Sequence, residues 1–261
     1  MQIYVINLPS ATERRKLQKD QLTKLDLKYK ILNATSTEDI SNDTYNKHYY
    51  DWQRPLRKTE IACYFSHQYA WNRVIKSKKP ALILEDDAIH SMFLPEILEN
   101  LNKLQNVDLI NLENRSRKKF VSKSYEDIAC QSKLLRLYQD RTGAAGYILW
   151  PSGAKKLIKL EKNKRIGLAD AHITSCYSLK SFQVEPSPII QLDQCKDYGI
   201  LNSYTSVISK STVSCSQNNR GGFYFIIKRL FFQFKLGLRQ LFLFTQSQRR
   251  YISIRISDFN D

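Results

Sequence analysis

Residues 81–88 read ALILEDDA, four apolar residues in a row followed by three carboxylates, Glu85, Asp86 and Asp87. An unbroken apolar run, entered from the basic turn SKKP at residues 77–80, predicts a strand covered on both faces, as in layered α/β proteins. The carboxyl ends of such strands are where open α/β sheets bind ligands. Adjacent like charges repel and raise one another's pKa unless a cation sits among them, so the trio calls for a divalent ion. Oxygen donors select Mg²⁺ or Mn²⁺ over zinc. A solvated acidic turn is the alternative reading of the same three residues.

Outward from this strand the design repeats. VDLINLE at 107–113 is a second apolar run, ending on Glu113. Upstream, residues 1–8 form a β-rich stretch broken by Pro9 and Ser10, and 11–27 follow as a helix with Leu17, Leu22 and Leu25 on its apolar side. KYKIL at 28–32 reads as a strand, and residues 35–58, polar and aperiodic, as a long functional loop. Residues 59–75 carry Ile61, Phe65, Tyr69 and Val74 at near-helical spacing, with Thr59 as cap, and predict a largely buried helix. Beyond the trio, a helix is expected over 94–104, a basic polar stretch over 114–133, and strands at LLRLY (134–138) and AAGYILW (144–150). A helix follows over about 152–162, another opens in GLADAHITSCYSL (167–179), and the two prolines of VEPSPIIQ (184–191) keep it extended. Strands alternating with helices predict an α/β fold with a mostly parallel sheet flanked by helices.

The chain has 261 residues, 42% of them apolar, with 15 Tyr, 12 Phe and 3 Trp, which excludes disorder and suits one large α/β domain or a domain plus a small appendage. Its net charge of +16 points to an anionic partner: nucleic acid, nucleotide, phosphorylated glycan or membrane surface. Five cysteines (Cys63, Cys130, Cys176, Cys195 and Cys215), an odd number without a CxxC pair, argue against a disulfide framework or zinc ribbon and for a reducing compartment. The opening MQIYVINLPS lacks the basic start, apolar run and small-residue cleavage site of a secretion signal, so a cytoplasmic location is expected.

Residues 209–261 differ in character. They hold nine Lys or Arg against two Asp, +7 of the total charge. GGFYFIIKRLFFQFKLGLRQLFLF at 221–244 is the most apolar stretch, but Lys228, Arg229, Lys235 and Arg239 interrupt it too often for a spanning helix. At helical spacing, Lys228, Lys235 and Arg239 fall on one side and Ile227, Leu230, Phe234 and Leu241 on the other. That is a basic amphipathic helix suited to the surface of an anionic membrane. A helical layer buried on the main domain is the alternative. The expected division is a catalytic domain at 1–208 and a C-terminal segment at 209–261.

Five motifs occur in order: INLPSATERR at 6–15, TEIACYFSH at 59–67, LILEDDA at 82–88, INLENR at 110–115 and TGAAGYIL at 142–149. Together they resemble glycosyltransferase family 25, the bacterial lipooligosaccharide galactosyltransferases and their relatives, over about residues 2–195. The resemblance implies a GT-A type fold, a UDP-sugar donor, usually UDP-galactose, and a lipooligosaccharide or lipopolysaccharide acceptor glycan. By similarity to GT-A enzymes, Asp87 is the expected direct metal ligand for Mn²⁺ or Mg²⁺, with Glu85 acting through water and Asp86 on ribose or sugar hydroxyls. His172 is a further candidate metal or phosphate ligand.

Other candidate donor-binding residues come from the remaining motifs. Asn7 and Arg14 sit in the first strand-turn-helix, where a guanidinium recognises a diphosphate bidentately. The family pattern puts Glu60, Ser66 and His67 near the donor, makes the Cys63 position small core packing, and usually has Gly where Thr59 and Ala62 stand. Cys63 and His67 share a helical face at i and i+4, but a structural zinc site needs four ligands and no second pair follows. Gly143 and Gly146, lacking Cβ, admit a sugar or another strand. If the anomeric carbon inverts, a base must take the acceptor proton. Asp170 is the first candidate, resembling an acidic position late in the family, and Glu113 the second. Two other classes compete: a nucleic-acid-binding protein, which the acidic trio and the absence of a reader motif oppose, and a metal-dependent phosphoesterase, which would want more His and Asp ligands.

Overall fold

The computed structural model describes residues 1–140, 143–163, 165–200 and 221–259. Strand β3 (Ala81–Glu85) forms where the apolar run predicts it, and its side chains alternate between two cores. Ala81 and Ile83 join Tyr4 and Ile6 of β1 (Gln2–Asn7) beneath α3 (Lys58–Ser77) and α5 (Pro151–Asn163), whose Ile61, Tyr64, Trp71, Ala154 and Leu157 fill that side. Leu82 and Leu84 join Ile3 and Val5 on the opposite face, against Leu22 of α1 (Thr12–Lys24) and Leu94, Ile97, Leu98 and Leu101 of α4 (Leu94–Leu101). Successive strand residues face opposite ways, so a run that is apolar at every position requires cover on both sides.

Nine strands form one sheet in the order β11 (Gln248–Arg250), β6 (Lys119–Ile128), β7 (Ser132–Gln139), β9 (Ser181–Glu185), β5 (Leu109–Asn111), β8 (Gly146–Leu149), β3, β1 and β2 (Lys30–Asn33). By direction, the expected mostly parallel sheet holds: β1, β2, β3, β5, β6 and β9 point one way and β7, β8 and β11 the other. By neighbour it is mixed: β8 runs antiparallel between β3 and β5, and β11, β6, β7 and β9 pair antiparallel in turn. A two-stranded ribbon of β4 (Ala88–His90) and β10 (Ile189–Gln191) stands beside the acidic trio.

Three stretches differ from the sequence expectation. Within 35–58, α2 (Asn42–His48) forms, capped by Ser41 Oγ accepting from Thr44 N at 3.1 Å; it buries no residue and so leaves no apolar pattern. The polar stretch 114–133 contains all of β6, which pairs with β7 through a turn where Cys130 and Gln131 take φ of 59° and 54°. Helix α3 begins at Lys58, with Arg57 rather than Thr59 as its cap. The short α6 (Ala169–Ser175) opens in the stretch expected to be helical.

The expected 208/209 boundary lies outside the described residues. Beyond it, α7 (Phe223–Leu243) is a helix as predicted, laid across the main body. Phe225 stacks on Tyr50 with ring centroids 5.6 Å apart, Phe232 meets Trp52, Lys228 Nζ donates to Tyr50 O at 2.6 Å, and Arg239 donates to Tyr138 O at 3.0 Å. Two members of the basic side therefore touch protein, and the apolar side faces outward: Leu230, Phe234 and Leu241 are 60%, 65% and 72% exposed. The chain then returns to the sheet, with β11 pairing to β6 and Arg250 gripping Glu185 at 2.5 Å. No helix among the described residues is long and apolar enough to cross a membrane.

Candidate active site

The acidic trio stands at the carboxyl end of β3, where Glu85 is the last strand residue and Asp86 and Asp87 make the turn into β4. The turn is pinned from α1: Gln18 Nε2 donates to Ala88 O at 2.7 Å and to Asp86 O at 3.2 Å, and Gln21 Nε2 to Ala88 O at 3.0 Å. The trio lines a cleft of about 730 Å³. The first half of α3 forms one wall, with Glu60, Cys63, Ser66 and His67 facing in. Arg14, residues 34–38, Gly143–Ala144 and Leu168–Asp170 complete it.

Each member of the trio has its own partners. Asp86 accepts from Asn7 Nδ2 at 2.8 Å and from Arg14 at 3.2 Å, yet burial outweighs both and raises its pKa. Glu85 accepts from Gln191 Nε2 at 3.0 Å and meets His67 Nε2 at 3.1 Å; burial opposes its charge, but His67, Arg115 and Arg14 hold its pKa below the ordinary value. For Asp87 the help of Arg14 is outweighed. Burial first, then Glu85 and Asp86, push it up to about 7. Its Oδ1 shares Gln191 Nε2 with Glu85, at 3.4 Å.

Of the predicted residues, the fold brings Arg14, Glu60, Ser66, His67, Glu85, Asp86, Asp87, Gly143 and Asp170 to one cleft. Asp170 accepts from Ala171 N at 2.7 Å, and burial raises its pKa. Asn7 stands behind the lining, orienting Asp86. Ser66 Oγ accepts from Thr35 N at 2.9 Å and so ties α3 to the loop after β2. Glu60 is a hub, accepting from Arg57 N at 3.0 Å and from the two terminal guanidinium nitrogens of Arg54.

Three predicted residues stand elsewhere. His172 is 3% exposed in the core under α3, stacked on Trp71 with its Nε2 3.1 Å from Leu157 O, away from the carboxylates. Enclosed in the α3–α5 core, it does not line the cleft. Gly146 serves sheet packing: a Cβ there would lie 2.5 Å from Ile189 Cδ1. Glu113 is 1% exposed beneath Gly143, accepting from Ala145 N at 2.8 Å, and does not line the cleft.

Among the lining residues that the sequence does not mark as candidates are Arg54, Arg57, Arg115 and Gln191. Arg115 belongs to INLENR and donates to Gln191 and, at 2.9 Å, to Asp193. Arg54 and Arg57 lie in the irregular stretch before α3 and Gln191 ends the three-residue β10, where no periodicity marks them. Arg14, Arg54, Arg57 and Arg115 face Glu38, Glu60, Glu85, Asp86, Asp87 and Asp170, so the described lining is net acidic in a chain of +16. A polyanion would be repelled there unless a cation intervened.

The profile of the family described as "Glycosyltransferase family 25 (LPS biosynthesis protein)" matches residues 1–174. A Haemophilus influenzae protein described as a glycosyltransferase is 27% identical over 175 residues, covering 64% of this chain and 60% of its own length. Procollagen galactosyltransferase 1 of Danio rerio is 25% identical over 235 residues, 77% of this chain and 38% of the relative. The lipooligosaccharide biosynthesis protein lic2B of Haemophilus influenzae is 23% identical over 209 residues, 73% and 76% of the two chains. This chain thus spans about 60% of the first relative and less than half of the second. With two thirds of its length matched and the acidic trio at the rim of the sheet, the chain belongs to glycosyltransferase family 25.

Proposed function

We propose that this protein is a GT-A type hexosyltransferase that moves galactose, or glucose, from a UDP-sugar to a lipooligosaccharide acceptor, with inversion at the anomeric carbon. The observation that carries this reading is the meeting of the Glu85–Asp87 trio, Arg14 and Asp170 in one cleft of about 730 Å³, a volume within the usual range for small-molecule sites. Family membership supports sugar transfer, and the names of the Haemophilus and zebrafish relatives support the acceptor and the sugar.

The donor set suits Mn²⁺ or Mg²⁺. Glu85 Oε2 and Asp87 Oδ1 converge on a single amide nitrogen of Gln191, which puts the positive end of a dipole where a small hard cation would fit between them. Asp87 and Glu85 would hold such an ion, and when bound it neutralises charge gathering on the departing diphosphate. Arg14, already paired with Asp86, adds a second positive group on that side. Asp86, fixed by Asn7, would meet the ribose or sugar hydroxyls of the donor. Asp170, in the same cleft, takes the proton of the acceptor hydroxyl as its oxygen bonds to the anomeric carbon and the bond to UDP breaks. The burial-raised pKa of Asp170 makes it a stronger base than an exposed aspartate. Glu60, Ser66 and His67 hold the α3 wall, and Gly143, where a Cβ would lie 2.5 Å from Glu113 Oε2, closes the cleft over that carboxylate.

The acceptor is an anionic, membrane-anchored glycan, and α7 supports seating the enzyme on the cytoplasmic face of an anionic membrane through its outward apolar side. The net acidic lining disfavours nucleic acid in the cleft. The test is UDP release from UDP-galactose and UDP-glucose with Mn²⁺, with and without lipooligosaccharide. Acceptor-stimulated release from one sugar is expected. If neither donor is consumed under any of these conditions, the reading fails.

A further inference from the structure

Cys63 and His67 occupy one face of α3, one turn apart, and the sequence offers them no second pair. Folding supplies a third group from a different element. The Sγ of Cys63, a ring nitrogen of His67 and a carboxylate oxygen of Glu85 all lie within 4.8 Å of one another. All three residues line the cleft, so the space beside them opens to solvent and solutes. We propose that Cys63, His67 and Glu85 form a three-ligand site for a borderline-soft divalent cation, zinc above all, with its fourth position open to the cleft.

The chemistry of the set argues for zinc over the harder ions proposed for the neighbouring aspartates. One thiolate, one imidazole and one carboxylate are each ordinary zinc ligands, and three protein ligands with an open fourth position is the exchangeable arrangement, as opposed to the closed four-ligand structural one. Mg²⁺ and Mn²⁺ do not favour sulfur. Two ligands, Cys63 and His67, are separate from the oxygen pair of Glu85 and Asp87, so this site differs in composition while competing for Glu85.

The surroundings of His67 suit a ligand. Its Nδ1 lies 2.9 Å from Tyr147 Oη, which also accepts from Trp71 Nε1 at 2.8 Å. A tyrosine hydroxyl both donates and accepts, so it serves either tautomer of the ring. With Nε2 protonated, the ring donates to Glu85 Oε1 at 3.1 Å. With the proton on Nδ1 and directed to Tyr147, Nε2 presents its lone pair toward Cys63 and Glu85, the outer-shell arrangement typical of metal-bound histidine. The ring keeps one proton in both cases. The cation displaces the Cys63 thiol proton, so one proton leaves per ion bound and the charges of thiolate and carboxylate cancel that of the metal.

The test uses the full chain, freed of metal, with cobalt as the spectroscopic stand-in for zinc. Stoichiometric Co²⁺ is expected to give a thiolate-to-cobalt charge-transfer band in the near ultraviolet and the visible bands of a four-coordinate ion, and Zn²⁺ is expected to bleach both. Cys63→Ala removes the charge-transfer band and weakens Zn²⁺ more than about 100-fold, beyond the ~10–100-fold of an outer-shell change. Cys63→Ser, which keeps the size of the side chain, and His67→Gln serve as second variants, each checked for folding by its Tm. Cobalt binding without a sulfur band overturns the proposal. So does wild-type Zn²⁺ affinity in folded Cys63→Ala or Cys63→Ser, which would assign any thiolate signal to another of the cysteines.

Discussion

Glu113 and Asp170 share one chemical description, a carboxylate near the acidic trio whose pKa burial raises, but only Asp170 reaches the cleft. Glu113 Oε2 takes the Ala145 N–H, and Oε1 is buried with no hydrogen-bond partner. Burial, followed by the charge of Glu85, pushes Glu113 up to about 8, so it is protonated at neutral pH and is a support for the Gly143–Ala145 backbone. Between about 4.5, its ordinary value, and about 8 the folded state holds a proton the unfolded chain has lost, so this group lowers stability as pH rises through that window. Glu113→Gln is therefore expected to gain ~1–3 kcal/mol over the parent at about pH 9 and nothing near pH 4, read by denaturant titration across pH. The same variant keeps turnover within a factor of about three, whereas Asp170→Asn loses ~10²–10⁴ while folding normally. Equal losses in the two variants would return Glu113 to the role of base. Sequence alone offers both as candidates because accessibility is a product of packing: Gly143, at φ +99°, lets the chain pass over one carboxylate and leave the other uncovered.

At the scale of elements, whatever carries a continuous or periodic apolar pattern was legible, and whatever is held by polar contacts was not. Strand β3, helix α3 and helix α7 announce themselves through continuous or helically spaced apolar residues. Helix α2 buries nothing, and β6 is exposed through Lys123–Asp127, so neither leaves a pattern. The mixed placement of β8 was equally hidden, because a strand covered on both faces reads the same in either direction. Gly146 shows what that placement demands. Strand β8 runs between β3 and β5 while Ile189 crosses against it, and a Cβ at Gly146 would meet Ile189 Cδ1 at 2.5 Å and Cγ2 at 2.9 Å. Gly146→Ala is expected to cost ~1–3 kcal/mol by overpacking, seen as a lower Tm with the KM for donor unchanged. Adding Ile189→Val removes the nearer methyl and recovers about half the loss. A raised KM at unchanged Tm would instead mean that the glycine contacts the donor.

Across the whole molecule, charge and apolar surface are sorted in opposite senses: a chain of +16 encloses a net acidic cleft, and α7 turns its apolar residues to solvent. The amphipathic pattern of α7 was readable from spacing, but which side faces out was not, because that depends on Tyr50, Trp52 and Tyr138 receiving Phe225, Phe232, Lys228 and Arg239. A surface this apolar beside basic residues suits an anionic bilayer, and the apolar side, not the inward-turned Lys228 and Arg239, should carry most of the affinity. Deleting the tail is a poor test, since β11 pairs with β6 and Arg250 holds Glu185. The combined substitution Leu230→Gln, Phe234→Gln and Leu241→Gln changes only exposed positions. At about 1 kcal/mol or more per inserted side chain it should weaken binding to phosphatidylglycerol-containing vesicles by roughly 100-fold or more, with Tm unchanged. Replacing Lys235 with Gln should cost only about 1 kcal/mol, a loss that vanishes at high salt. Vesicle binding that survives the triple substitution but disappears in high salt would show that charge alone holds the protein to the lipid, with the outward face of α7 left for another partner.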